Sequence, residues 1–160
     1  MATLPQLIEE DIRRLNEKLR EFLTQASATV ALLIDKGGFL LTHQGEAGDL
    51  ELTTIGALAS GAFMASQTIA GLVNEKNFNY TCQQGELLSL FTMDVDEHCL
   101  LVVIFPSKSG VGVVKYYSAG VVSRLAQQLA AARDRNPGGG FDLSVINVAD
   151  PQEFFRKKVA

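Results

Sequence analysis

Gly110, Val111 and Gly112 stand between two lysines, Lys108 and Lys115, after a fully apolar segment and before one with helical spacing. Strand, glycine loop and helix is the layout in which backbone N–H groups and a helix N-terminus cradle phosphate. Dinucleotide chemistry would need a third glycine at position 115, where the chain carries Lys115, and the pattern G-x-x-x-x-G-K-[ST] occurs nowhere. Weak anion binding by Lys108 and Lys115 is what survives of that reading, beside the plain role of turning a strand into a helix. Metal chemistry fares no better: His98 next to Cys99, with His43 and Cys82 elsewhere, offers no ligand pair at helix or knuckle spacing. Asp94, Asp96 and Glu97 lack the EF-hand pattern and suit a solvated turn. There is no G-x-S-x-G elbow and no pair of carboxylates spaced for acid and base work. The expectation is a binding module with no catalytic residue, metal site or cofactor, rather than a self-contained enzyme.

A chain of 160 residues, 47% of them hydrophobic, buries one substantial core. With a net charge of -4 and its basic residues scattered, it has no electrostatic footprint for nucleic acid or an anionic membrane. Two cysteines are too few for a disulfide framework and imply reduced thiols. The N-terminus is acidic and amphipathic rather than basic then apolar, and no apolar run is expected to approach the roughly 20 residues that cross a bilayer. A cytoplasmic location without membrane insertion follows as the expectation.

The elements that would position any site are read from periodicity. Leu4, Ile8, Ile12, Leu15, Leu19, Phe22 and Leu23 recur at three- and four-residue steps, predicting a first helix capped near Thr3 with Pro5 in its first turn. Thr29–Asp35 and Phe39–His43 form a predicted hairpin around Lys36-Gly37-Gly38. A second helix is predicted over residues 51–75, with Ile55, Leu58, Ala62, Ile69, Leu72 and Val73 on its buried side. Its interior glycines each cost about 1 kcal/mol against alanine. Ala57, Gly61 and Ala65 lie four apart on one ridge, a spacing that lets another helix come close. Three strands follow, over residues 78–84, 87–95 and 99–105; the first is polar like an edge and the last apolar on both faces like a centre. A third helix covers residues 112–133. Asn136–Gly140 then forms a joint to a tail in which Asp150, Pro151 and Glu153 cap a turn that presents Phe154 and Phe155 either back to the core or for docking on a partner. Helix, two strands, helix, three strands, helix predicts an α+β domain over residues 1–135, a five-stranded antiparallel sheet covered by helices on both faces, with a tail over 136–160.

The stretches VALLIDKGGFLLTHQG, LTTIGALASGAFMASQTIAGLV and CLLVVIFPSKSGVGVVKYY resemble the Roadblock/dynein-light-chain family, and within it the bacterial MglB-type proteins. The resemblance spans residues 29–132. It implies a homodimer joined through its second helices and edge strands, with Ala57, Gly61, Ala65, Tyr80 and Cys82 at the joint. It also implies a Ras-like small GTPase (MglA-type) as partner, bound in its GTP form, with GTP hydrolysis stimulated by ordering of the partner's switch regions, in cell polarity or motility. The nucleotide would then belong to the partner and not to this chain. The alternative implied is an adaptor that binds a GTPase or another protein without stimulating it. The GTPase is expected on an exposed side of the second helix made by Gly56, Ser60, Phe63, Met64 and Gln67, the alternative being that Phe63 and Met64 complete the dimer core.

Overall fold

The computed structural model describes residues 5–135. The tail over 136–160, with the expected linker, cap and docking pair Phe154 and Phe155, lies outside the described residues, as does Thr3.

The first helix, α1 (Glu9–Ala26), begins later than the apolar spacing suggested, so Pro5 precedes it rather than occupying its first turn. The start is set by Asp11, whose Oδ2 accepts the Ile8 N–H at 3.0 Å and so satisfies a free donor of the first turn. Glu9, Glu10 and Asp11 also place negative charge at the positive end of the helix dipole. Leu15, Leu19, Phe22 and Ala26 form its buried stripe.

Strands β1 (Val30–Asp35) and β2 (Leu40–Gly45) pair as the expected hairpin, turned at Gly38 with φ 95°. After α2 (Leu52–Leu72) come β3 (Tyr80–Gln84), β4 (Leu88–Asp94) and β5 (Cys99–Pro106). A 3-10 turn, Ser107–Ser109, leads into α3 (Val111–Arg135). The strands form one antiparallel sheet in the order β2-β1-β5-β4-β3, placing β5 at the centre and β3 at an edge.

Side chains alternate across a strand, and the two central strands supply both cores from that alternation. Cys99, Leu101, Val103 and Phe105 of β5, with Ala31 and Leu33 of β1, face α1 and α3. Leu100, Val102 and Ile104, with Val30, Leu32 and Ile34, face α2. Two helices seal the first face. Among the described residues, α2 is the helix that covers the second.

One expectation from composition is corrected. The segment Leu52–Leu72, with mean hydropathy 1.3, is long and apolar enough to cross a membrane. Its glycine, serine and threonine residues mask this in the sequence, because small residues lower apolarity without adding charge. In the fold it lies on the sheet through Ala59 and Phe63.

Candidate functional site

Helix α2 sits on the sheet through small residues around one large one. A Cβ at Gly56 would meet Ile34 Cγ2 at 3.1 Å, and one at Gly38 would meet the Ala57 Cα at 3.0 Å. The missing side chains let helix, hairpin and β1 approach closely. Ser60 Oγ donates to the Lys36 carbonyl at 2.6 Å, tying the helix to the hairpin turn. Phe63 is 2% exposed and fills the core between these contacts. Further along, the Gln67 amide donates through Nε2 to the Phe78 carbonyl at 2.9 Å and accepts the Phe78 N–H at 3.0 Å, holding the chain as it enters β3.

The opposite side of α2 covers nothing among the described residues. Leu58 is 70% exposed, Ile69 51% and Leu72 78%, while Met64 and Val73 are also exposed. Ala57, Gly61, Ala62 and Ala65 lie among them, and a Cβ at Gly61 or Gly71 would meet nothing within 4 Å. No Asp, Glu, Lys or Arg occurs from Leu52 to Leu72, so this face carries no formal charge along its length. A contiguous exposed apolar surface on a folded domain marks an interaction site.

The phase of this helix overturns two expectations. Leu58, Ala62, Ile69, Leu72 and Val73, expected on the buried side, are exposed, and the buried residues are Leu52, Gly56, Ala59, Ser60, Phe63 and Ala70. Of the five residues expected to be exposed toward a GTPase, Gly56, Ser60 and Phe63 are buried and Gln67 is spent on Phe78; Met64 alone is exposed. The physical reason is that α2 carries no charged residue on any side, so no charged face fixes its rotation. Close approach to β1 selects the narrow Gly56–Ala59–Ser60 strip with Phe63 instead. Ala57, Gly61 and Ala65 do stand on the exposed side.

Beside this face, β3 pairs with β4 only, and no strand among the described residues takes its other edge. Its Tyr80 and Cys82 are half-buried and pack toward α3, away from α2. Tyr80 stacks on Phe91 with ring centres 5.0 Å apart, and Lys115 Nζ stands 5.0 Å from the Tyr80 ring centre.

The glycine loop is used internally. Ser107 Oγ donates to the Gly85 carbonyl at 2.6 Å and lies 2.8 Å from Ser89 Oγ, while its N–H donates to Leu87 at 2.9 Å. The loop thereby pins the β3–β4 turn to the end of β5, and Gly110 with φ 80° reverses the chain into α3.

Among the described residues no three His, Cys, Asp or Glu side chains are grouped to hold a metal. Asp96 Oδ1 accepts the N–H groups of His98 and Cys99, both at 2.8 Å, as a turn residue does. Burial, reinforced by Asp96 and Asp35, pushes the Cys99 thiol up to about 12. Burial also raises Cys82.

Comparison with known proteins agrees with this geometry. The Roadblock/LC7 domain model matches residues 14–105. Among solved structures, an MglB described as having a tetrameric arrangement is 30% identical with a TM-score of 0.76, covering 82% of this chain and 99% of its own. The gliding protein MglB of Thermus thermophilus is 30% identical with a TM-score of 0.74 and the same coverage. MglB of Myxococcus xanthus is 25% identical with a TM-score of 0.73, covering 79% of this chain and 96% of its own. No curated protein matches the sequence.

Proposed function

Since the chain belongs to the Roadblock/LC7 domain family, we propose that it is a homodimeric regulator that binds the GTP-bound form of a Ras-like, MglA-type small GTPase and stimulates GTP hydrolysis. The observation that carries this reading is the exposed, charge-free face of α2 beside the free edge of β3. In the proposed dimer, α2 helices meet along Ala57, Gly61 and Ala65 and the β3 edges join the two sheets. Small residues allow the close packing, and the flanking Leu58, Met64 and Ile69 provide an adaptable apolar surface for the switch regions. MglB-type structural neighbours at 25 to 30% identity support the reading.

Stimulation follows the route in which the GTPase supplies its own catalytic groups. No arginine lies between Leu52 and Leu72. Arg124, Arg133 and Arg135 are engaged with Glu21, Glu97 and Asp11 respectively. In this reading the chain acts by fixing the switch loops so that the attacking water is oriented and the developing charge is met by the GTPase's own residues. The catalytic groups in this reading belong to the GTPase, and the chain is its regulator. Its proposed setting is the cytoplasm, in bacterial cell polarity or motility.

The test is single-turnover GTP hydrolysis by the candidate GTPase with and without this chain. Acceleration is expected, and Gly61→Arg is expected to abolish it while keeping the fold, because position 61 opens on free space. Normal acceleration by a folded Gly61→Arg variant would refute the α2 surface. Binding without acceleration by the unaltered chain would make the protein an adaptor instead.

A further inference from the structure

The two edges of the sheet are built differently. At β2 the pairing with β1 shifts register between Leu33 and Ile34, Gly45 takes φ 107°, and Thr42 Oγ1 donates to Asn16 of α1 at 2.5 Å. Irregular pairing and a packed helix are means of blunting an edge. At β3 neither is found among the described residues: Tyr80–Gln84 pairs with β4 in unbroken register and contains no proline and no charged residue. Such an edge is fit to take another strand.

The open stretch also has fixed ends. Phe78, just before it, has its N–H and its carbonyl engaged by the Gln67 amide. Gly85, just after it, has its carbonyl engaged by Ser107 Oγ. A strand laid along this edge therefore finds its partners between those two residues.

In the proposed homodimer both α2 helices lie on one face of the joined sheet, so the two-fold axis stands perpendicular to the sheet and the two β3 strands run antiparallel. Residues directly opposite one another in antiparallel strands point to the same face. Both conditions hold only where one residue faces its own copy. Centring on Thr81 would set Gln84 against Phe78, whose groups are taken, and centring on Gln83 would set Thr81 against Gly85 and leave Tyr80 outside the ladder.

Resting on the homodimer reading, the geometry points to a joint centred on Cys82. Cys82 faces Cys82 of the partner subunit, Thr81 faces Gln83 of the partner subunit, and Tyr80 faces Gln84 of the partner subunit. All five strand residues are then paired, and no like charges stand opposite each other. Opposed residues in such a ladder have Cα atoms about 4.5 or 5.5 Å apart, within the span that a disulfide bridges. Thr81 and its own copy, two strand positions out of step, are about 8 Å apart and beyond that span.

Cross-linking of the full-length chain reads this register. Oxidation by copper phenanthroline is expected to give a disulfide-linked pair of 17.3 kDa chains on non-reducing gels, and Cys82→Ser is expected to remove it. In the Cys82→Ser background, Thr81→Cys and Gln83→Cys are expected to cross-link when the two variants are co-expressed and not when either is alone. Cross-linking of Thr81→Cys or Gln83→Cys by itself would overturn the proposal, because it moves the axis to that residue. A chain that sediments as a dimer while neither Cys82 nor the mixed variants cross-link would overturn the register and leave the homodimer standing. A chain that sediments only as a monomer would overturn both.

Discussion

Asp11, 1% exposed in the first turn of α1, holds Arg135 in the last described turn of α3. The same carboxylate accepts the Ile8 N–H at 3.0 Å and Gln128 Nε2 at 3.1 Å. One side chain therefore starts one helix and fastens the end of another. Burial works against its charge, but the Arg135, Ile8 and Gln128 hydrogen bonds outweigh that, and its pKa falls below the ordinary aspartate value of 3.8.

A folded-state pKa below the unfolded one stabilises the native state above the unfolded value, and that contribution is lost as pH falls through the folded value. Asp11→Asn is therefore expected to cost about 1–3 kcal/mol at pH 7. It should also flatten the decline in stability below pH 3.8. Urea unfolding across that range, at fixed protein concentration, reads both. An unchanged acid limb would show that Asp11 does not carry the decline.

Phe63 and Leu72 lie on opposite sides of α2, and their substitution separates folding from association. Phe63→Ala opens a cavity in the α2 core and should lower stability by about 3–5 kcal/mol. Leu72→Asp, at a residue 78% exposed, should leave helical circular dichroism intact. In sedimentation it should shift the proposed dimer toward a 17.3 kDa species. Retained dimer in Leu72→Asp would remove this end of α2 from the joint.

Gln67 holds both backbone groups of Phe78 at the entry to the edge strand. Gln67→Leu leaves that N–H and carbonyl without their partners, a loss of about 1–3 kcal/mol. The effect should be local, read as faster amide exchange over residues 78–84 with α1 and α3 unaffected. Global acceleration of exchange would instead place Gln67 within the cooperative core.

Cys99 and Cys82 should differ in reactivity. With Cys99 fully buried and its pKa pushed up to about 12, its thiolate is scarce at neutral pH and a thiol reagent should reach it only on unfolding. Cys82 sits half-buried on the edge strand and should react in the native protein, more slowly if two β3 edges join. Labelling followed by mass spectrometry of the peptides containing each residue checks this, and native labelling of Cys99 would contradict the packing described.

The amino-acid pattern by itself determined the order of elements, the central place of β5 and the edge place of β3. Strand burial repeats every second residue, and Cys99–Phe105 is apolar at every one of these positions while Tyr80–Gln84 is mostly polar. The ridge of Ala57, Gly61 and Ala65 was equally visible, because helix neighbours four apart are a property of the chain alone. Only the tertiary structure decided which side of α2 meets the sheet. A helix without one charged residue has no preferred solvent side, so its rotation is settled by shape: Gly56 against Ile34, Ser60 under the Lys36 carbonyl, and Phe63 in the core. The pairing of β1 with β5 and the fastening of α1 to the end of α3 were decided there too, since both depend on partners distant in sequence, Ile104 for Val30 and Arg135 for Asp11.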